Sequence, residues 1–282
     1  MTTNIFHIAY CPEIKEASLH YWGCNFACRG CSCKKIIWDW MIKEFLSARD
    51  DEPKGTAEPP KRFLEFEQVM RILEKLELKR VLHMGQEAVL DPEYARLTSA
   101  IHQNFGAKNV LLTNAYEMPP LEHTDKVELG IKGITDSLHI DYTGKSNTRV
   151  LANFVKIYQS GVEMIVESPF IPGYMDLDET EKIAKFISSV DKDILYVILP
   201  YFKAGDNPWR RPTHAEIDQA VGMAREHLNK VYFAYGDEEL KYEVINIFPN
   251  DIRARTSQKQ LIPSYPLPAL VQWKERILVP QA

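Results

Sequence analysis

Apolar positions recur along the chain with two periods, and stretches of the two alternate. Short runs rich in β-branched residues read as strands: Ala17–Trp22, Arg80–Met84, Asn109–Thr113, Gly133–Ile140, Val162–Ser168 and Ile194–Leu199. Between them apolar residues fall three and four apart, the spacing that lines one face of a helix. Phe66, Val69, Met70, Leu73 and Leu76 trace one such face; Ile183, Phe186, Ile187 and Val190 trace another. Asp178-x-x-Glu181 and Thr213-x-x-Glu216 have the form of capping boxes, which start helices by satisfying their first backbone N–H groups. Gly161 would stop a helix that begins near Asn147, because glycine tolerates the left-handed turn at a helix end.

About six strand–helix units in series predict an α/β fold with a parallel sheet covered by helices. Six is too few for a closed eight-stranded barrel, so an open partial barrel or a doubly wound sheet fits. In either, ligands gather where the strands end and the loops emerge. This core is expected to span residues 1–250, with strands to about residue 199 and further α/β elements beyond. Ser47–Lys61, polar and proline-rich, reads as a solvated loop, with a partner-binding insertion as the alternative. After Asn250, "IPSYPLPALVQW" reads as an extended tail, so residues 251–282 are expected to pack on the core as a C-terminal extension.

The balance of 45% apolar and 26% charged residues is that of a globular protein. No apolar run approaches the roughly 20 residues of a membrane helix. The first residues lack the basic and apolar regions of a signal peptide, so a cytoplasmic protein is expected. A formal charge of −5 argues against general nucleic-acid binding, which usually brings a basic surplus.

Four of the five cysteines lie between Cys24 and Cys33, in "YWGCNFACRGCSC" directly after the first predicted strand. An odd number of cysteines in a reducing compartment does not suit a disulfide framework, and clustered thiols suggest a metal or redox centre. Cys24, Cys28 and Cys31 have the spacing C-x3-C-x2-C within a loop over residues 23–34. Three thiolates on one loop can hold three irons of a [4Fe–4S] cubane and leave the fourth open. Zinc is the alternative, with Cys33 as fourth ligand. A structural zinc site, however, usually draws paired ligands from two segments, and only one residue separates Cys31 from Cys33.

On these residues the chain resembles radical S-adenosylmethionine (SAM) enzymes, in which C-x3-C-x2-C follows the first strand of a partial (β/α)6 barrel. The resemblance implies one [4Fe–4S] cluster whose open iron binds SAM. It further implies reductive cleavage of SAM to a 5′-deoxyadenosyl radical that abstracts hydrogen from the substrate. Gly85-Gln86-Glu87, after the second strand, is similar to the family's Gly-Gly-Glu, at which the methionine amine binds. Thr113-Asn114-Ala115, after the third, is similar to a Thr-Asn-Gly. The second half resembles the activating enzymes of glycyl radical enzymes, with Lys132, His139, Gly144, Asn147, Pro172, Gly173, Pro200 and Tyr201 matching; the similarity covers roughly Leu19 to Tyr201.

Gly85, Gln86, Glu87, Thr113, Asn114, Lys132 and Glu167 are therefore the expected cofactor-binding residues, and Cys24, Cys28 and Cys31 the cluster ligands. Lys132 would meet the cofactor's carboxylate or ribose, and Glu87 its ammonium group. The chain also departs from the family pattern. Gly30 stands where an aromatic residue is usual, Gly130 replaces the aspartate of Asp-x-Lys, Glu167 takes the place of an arginine, and Phe202 that of a histidine. His139 reads as a core histidine, Asp141 and Tyr142 as turn residues, Cys11 and Cys33 as packing thiols, and Arg210 and Arg211 as a basic turn near the same mouth.

The function expected from the resemblance is activation of a glycyl radical protein, with electrons from a donor such as flavodoxin or ferredoxin. A radical SAM enzyme acting on a small molecule or modified nucleotide is the second reading, and a zinc-stabilised binding module the third.

Overall fold

The computed structural model describes residues 2–42, 52–238 and 241–249. The strands are β1 (Ile5–Cys11), β2 (Glu16–Tyr21), β3 (Arg80–Gly85), β4 (Lys108–Thr113), β5 (Lys126–Gly130), β6 (Glu163–Phe170), β7 (Leu195–Pro200), β8 (Val231–Phe233) and β9 (Ile245–Phe248). They form one sheet in the order β8-β7-β6-β5-β4-β3-β2-β1-β9. Strands β2 to β8 run parallel, whereas β1 pairs antiparallel with both β2 and β9. The sheet stays open, with β8 and β9 at its edges. It is the expected partial barrel, with an antiparallel extension on one side.

Helices α1 (Phe66–Leu73), α2 (Tyr94–Phe105), α3 (Asp136–Thr143), α4 (Thr148–Gln159), α5 (Leu177–Val190) and α6 (His214–Arg225) connect the strands. Two apolar layers join helices to sheet. Leu19, Val81 and Leu111 pack with Val69, Leu73, Leu97 and Ile101. Val127, Leu129, Val166 and Ile198 pack with Phe154, Ile157, Ile183, Ile187 and Val221. Because side chains alternate along a strand, Glu128, Gly130, Glu167 and Val197 face the opposite, concave side. A buried polar ladder runs within the first layer: Tyr21 Oη lies 2.8 Å from His83 Nδ1, and His83 Nε2 lies 3.0 Å from Asn109 Oδ1. A ladder with its polar groups satisfied favours one register of β2, β3 and β4 over others. Burial pushes the His83 pKa down to about 4, keeping the ring neutral.

Five of the predicted strands coincide with β2, β3, β4, β6 and β7 to within two residues at each end. The sixth does not. Gly133–Ile140 is a turn leading into α3, and the strand of that unit is β5, upstream. Lys126 and Glu128 on its concave face mask its apolar run. Gly133, at φ +122°, breaks the extended chain. The Glu179 carboxylate then accepts the Thr135 N–H and hydroxyl, both at 2.7 Å, at the start of α3.

Thr213 and Glu216 form a true capping box on α6. Helix α5 is capped by Asp176, which accepts the Leu177 N–H at 2.8 Å, in place of the expected Asp178–Glu181 pair. Helix α4 ends just before Gly161, at φ +79°. The described part of the expected solvated loop is largely exposed yet tied down. Ala57 N–H donates to Lys34 O and Gly205 N–H to Pro53 O, both at 2.8 Å. Residues 47–51 and 251–282, including the expected extension, lie outside the described residues. Among the described residues no helix is long and apolar enough to cross a membrane.

Candidate active site at the cysteine loop

The cysteine loop leaves β2 at Tyr21, and the Gly85–Glu87 edge fastens its start. A Cβ on Gly85 would lie 2.9 Å from Tyr21 N and 3.0 Å from Tyr21 O, and its φ is +100°, so glycine alone fits here. Gln86 N–H donates to Tyr21 O at 3.1 Å, and Gln86 Oε1 accepts the Gly23 N–H at 3.1 Å. Glu87 N–H donates to Gly23 O at 3.0 Å.

The Glu87 side chain is buried and turned toward β4. It accepts the Thr113 hydroxyl at 2.7 Å and the Asn114 N–H at 2.9 Å. Burial outweighs these bonds and pushes its pKa up to about 7. Asn114 extends the network to the cysteine loop: its Nδ2 donates to Asn25 Oδ1 at 2.8 Å and reaches Cys24 Sγ at 3.6 Å. The next residue, Ala115, takes φ +54°, a left-handed position that suits the glycine of a Thr-Asn-Gly better than alanine.

The far side of the loop hangs on the end of α3. Ala27 N–H donates to Thr143 O at 2.8 Å and Arg29 N–H to Tyr142 O at 3.0 Å. All three predicted ligand cysteines are free thiols, partly exposed, and close enough to perturb one another. Burial pushes Cys24 up to about 11 and Cys28 up to about 12. Cys31 falls to about 6 because the Cys33 thiol hydrogen-bonds to it, and Cys33 rises for the same reason. The charges of Lys34 and Lys132 also favour the thiolates. The Phe26 N–H approaches Cys24 Sγ at 3.4 Å. Sulfur donors with N–H groups and cations around them suit an iron–sulfur cluster, whose sulfurs accept such bonds. Two buried polar atoms beside the loop, Asn25 Nδ2 and His139 Nε2, have no hydrogen-bond partner among the described residues.

Across the mouth, Lys132 folds back over Gly130: a Cβ there would lie 3.0 Å from Lys132 Nζ. Glu167 stands directly opposite Gly130 in the β5–β6 register. These two departures from the family pattern are thus neighbours. Gly30 has no room for an aromatic side chain, since its Cβ would lie 2.8 Å from the Tyr201 ring and 3.1 Å from the Tyr142 hydroxyl. Phe202 packs against Arg211, with the guanidinium 4.6 Å from the ring centroid.

Other candidates are committed elsewhere. Arg210 makes a two-pronged ion pair with Glu216, at 2.8 and 2.5 Å, at the start of α6. His139 is buried with Nδ1 2.7 Å from Lys145 O. Asp141 and Tyr142, expected in a turn, belong to α3, and Asp141 pairs with Arg29 at 2.6 Å. Cys11 lies buried on β1. Sequence reasoning missed Asn25 and Tyr142, whose adjacency to ligand positions emerges only when α3 and β4 are folded against the loop.

A family model for the radical SAM superfamily matches residues 18–187, more than half of the chain. The chain belongs to that superfamily. Its members hold a [4Fe–4S] cluster and SAM, which together supply a 5′-deoxyadenosyl radical by one-electron cleavage of the sulfonium. A protein of Methanocaldococcus jannaschii, provisionally named a glycyl-radical enzyme activating enzyme, is 28% identical over 240 residues, covering 80% of this chain and 82% of that one. The pyruvate formate-lyase-activating enzyme of Staphylococcus aureus is 32% identical over 117 residues, which is 38% of this chain and 47% of that enzyme. Among solved structures, a radical SAM methyltransferase from Sphaerobacter thermophilus shares the fold, with a TM-score of 0.52 and 17% identity over 78% of this chain and 67% of that one.

Proposed function

We propose that the chain is an activating enzyme that generates a glycyl radical on a partner protein, using electrons from a flavodoxin- or ferredoxin-type donor. The observation that carries this reading is the alignment with the archaeal relative over 80% of the chain, together with that relative's name. Cys24, Cys28 and Cys31 hold one cluster. Gly85 and Gln86 keep the strand edge in place for the amino group of SAM, and Thr113 and Asn114 support that edge from β4. Glu87 already accepts two hydrogen bonds within the chain. It serves the cofactor by holding this edge, in place of the direct ammonium contact first expected. Lys132 takes the cofactor's carboxylate or ribose by a charge-assisted bond. Glu167, opposite Gly130, takes a cationic group of cofactor or substrate.

Gly130, Glu167 and Phe202 favour a second reading in which the same chemistry acts on a small molecule or modified nucleotide. Anaerobic reconstitution is expected to load about one cubane per chain, and dithionite with SAM to yield 5′-deoxyadenosine. A glycyl doublet on a candidate partner protein, seen by electron paramagnetic resonance, supports activation. Deuterium transfer from a small molecule into 5′-deoxyadenosine without a doublet supports the second reading. One zinc per chain and no cleavage of SAM overturns both.

A further inference from the structure

We propose that the side-chain amide of Asn25 donates a hydrogen bond to the bound iron–sulfur cluster, and that Asn114, backed by Glu87, holds it in the donating orientation. The inference rests on Cys24, Cys28 and Cys31 being the cluster ligands.

The hydrogen-bond network determines which end of each carboxamide is which. Tyr116 N–H donates to Asn114 Oδ1 at 2.9 Å, which identifies the Asn114 oxygen. Its nitrogen is therefore the atom facing Asn25, at 2.8 Å, and Asn25 must meet it with oxygen. The Asn25 nitrogen is left turned away from Asn114, and it is buried without a partner among the described residues. A buried donor left unsatisfied costs about 1–3 kcal/mol, and folded chains seldom leave one without an explanation. Glu87 locks the arrangement from behind by accepting the Asn114 backbone N–H.

Asn25 sits between Cys24 and Cys28, and Cys24 Sγ lies 3.9 Å from the oxygen of the same carboxamide. Its nitrogen, on the residue next to Cys24 and with no acceptor among the described residues, is thus a free donor beside the ligand loop. A cluster presents sulfide and thiolate sulfurs there, and these accept more strongly in the reduced state. Donors to them stabilise that state and raise the reduction potential. Asn25 is thus a positioning residue that tunes how readily the cluster takes its electron.

The test compares wild-type protein, Asn25→Ala and Asn114→Ala after anaerobic reconstitution, without SAM. Iron and sulfide content is measured first, followed by a redox titration read by electron paramagnetic resonance of the reduced cluster. Asn25→Ala is expected to keep its cluster. Poised at the wild-type midpoint, its reduced-to-oxidised ratio is expected to fall about tenfold, or 59 mV for a one-electron couple. An exchangeable-proton coupling that differs between H2O and D2O in the wild type should vanish with it. Asn114→Ala, which keeps the Asn25 amide and only frees its rotation, should shift the potential in the same direction and by less. A loaded Asn25→Ala protein with wild-type potential and coupling overturns the proposal alone. If Asn25→Ala loads no cluster, the Asn114→Ala potential decides, and no shift there overturns the proposal too. Wild-type protein without a cubane overturns the cluster assignment itself, and the proposal with it.

Discussion

The strand ends of β2–β4 and of β5–β7 come from the same repeating unit and meet at one mouth, yet they are built differently. On the first side a run of polar groups is bonded one to the next. Gly85, Gln86 and Glu87 fasten the loop start, Thr113 and Asn114 fasten Glu87, and Asn114 fastens Asn25. On the second side Lys132 leans over a glycine, and Glu167 and Phe202 replace residues of different chemistry. The first half of the mouth is pre-organised by hydrogen bonds. The other half carries the changes of charge, at Gly130, Glu167 and Phe202, whereas Gly30, Gln86 and Ala115 on the first side change size and backbone freedom.

The largest effects should come from the loop that the first side supports. Cys24→Ala, Cys28→Ala and Cys31→Ala are each expected to abolish the visible absorbance of the reconstituted cluster, whereas Cys33→Ala should keep it. Retention by Cys31→Ala with loss by Cys33→Ala would reverse that assignment.

Glu87→Ala strips the buried Thr113 hydroxyl and Asn114 N–H of their acceptor. It should destabilise the fold by about 2–4 kcal/mol in denaturant unfolding. Glu87→Gln keeps one acceptor oxygen and should cost less.

The antiparallel extension supplies a control outside either half. His7 is buried with Nδ1 2.7 Å from Phe248 O, facing His20 on β2 and Asp39 beyond the cysteine loop. Burial first, and then the His20 charge, push its pKa down to about 3 from 6.5. The unfolded chain therefore binds the extra proton first, and stability falls as pH drops from 6.5 toward 3. The loss from this group is about 2 kcal/mol at pH 5. His7→Leu should flatten that part of the pH–stability curve even if it lowers stability at pH 7.

The smallest effect is the sharpest contrast, because the same substitution is made on both sides. Gly85→Ala drives a methyl group into the Tyr21 backbone at a positive φ, and should cost about 1–3 kcal/mol. Gly130→Ala meets mainly the flexible end of Lys132, and should stay within about 0.5 kcal/mol. Equal costs would remove the distinction between a tied and an open side.

The α/β alternation and the cysteine spacing were legible in the sequence because both are local. Strands buried in the parallel sheet read as apolar runs, and three ligands on one loop need no long-range contact. β5 was hidden by charges on its concave face, and β1 by burial along all seven residues, which erases the two-residue alternation. β8 and β9, with three and four residues, are too short to carry a period. At the site, Glu87 could be named from its motif. Thr113 and Asn114 were named from theirs, but their bonds to Glu87 could not be, because they form only through the pairing of β3 with β4. Arg210 read as part of a basic turn, its ion pair unseen, because Glu216 was credited only with its capping role.

The pairing of positions 130 and 167 across adjacent parallel strands also makes them energetically coupled. Neighbours in contact do not contribute independently, so Gly130→Asp and Glu167→Arg measured singly should not add up to the effect of the double change, and a double-mutant cycle would read the difference as their interaction.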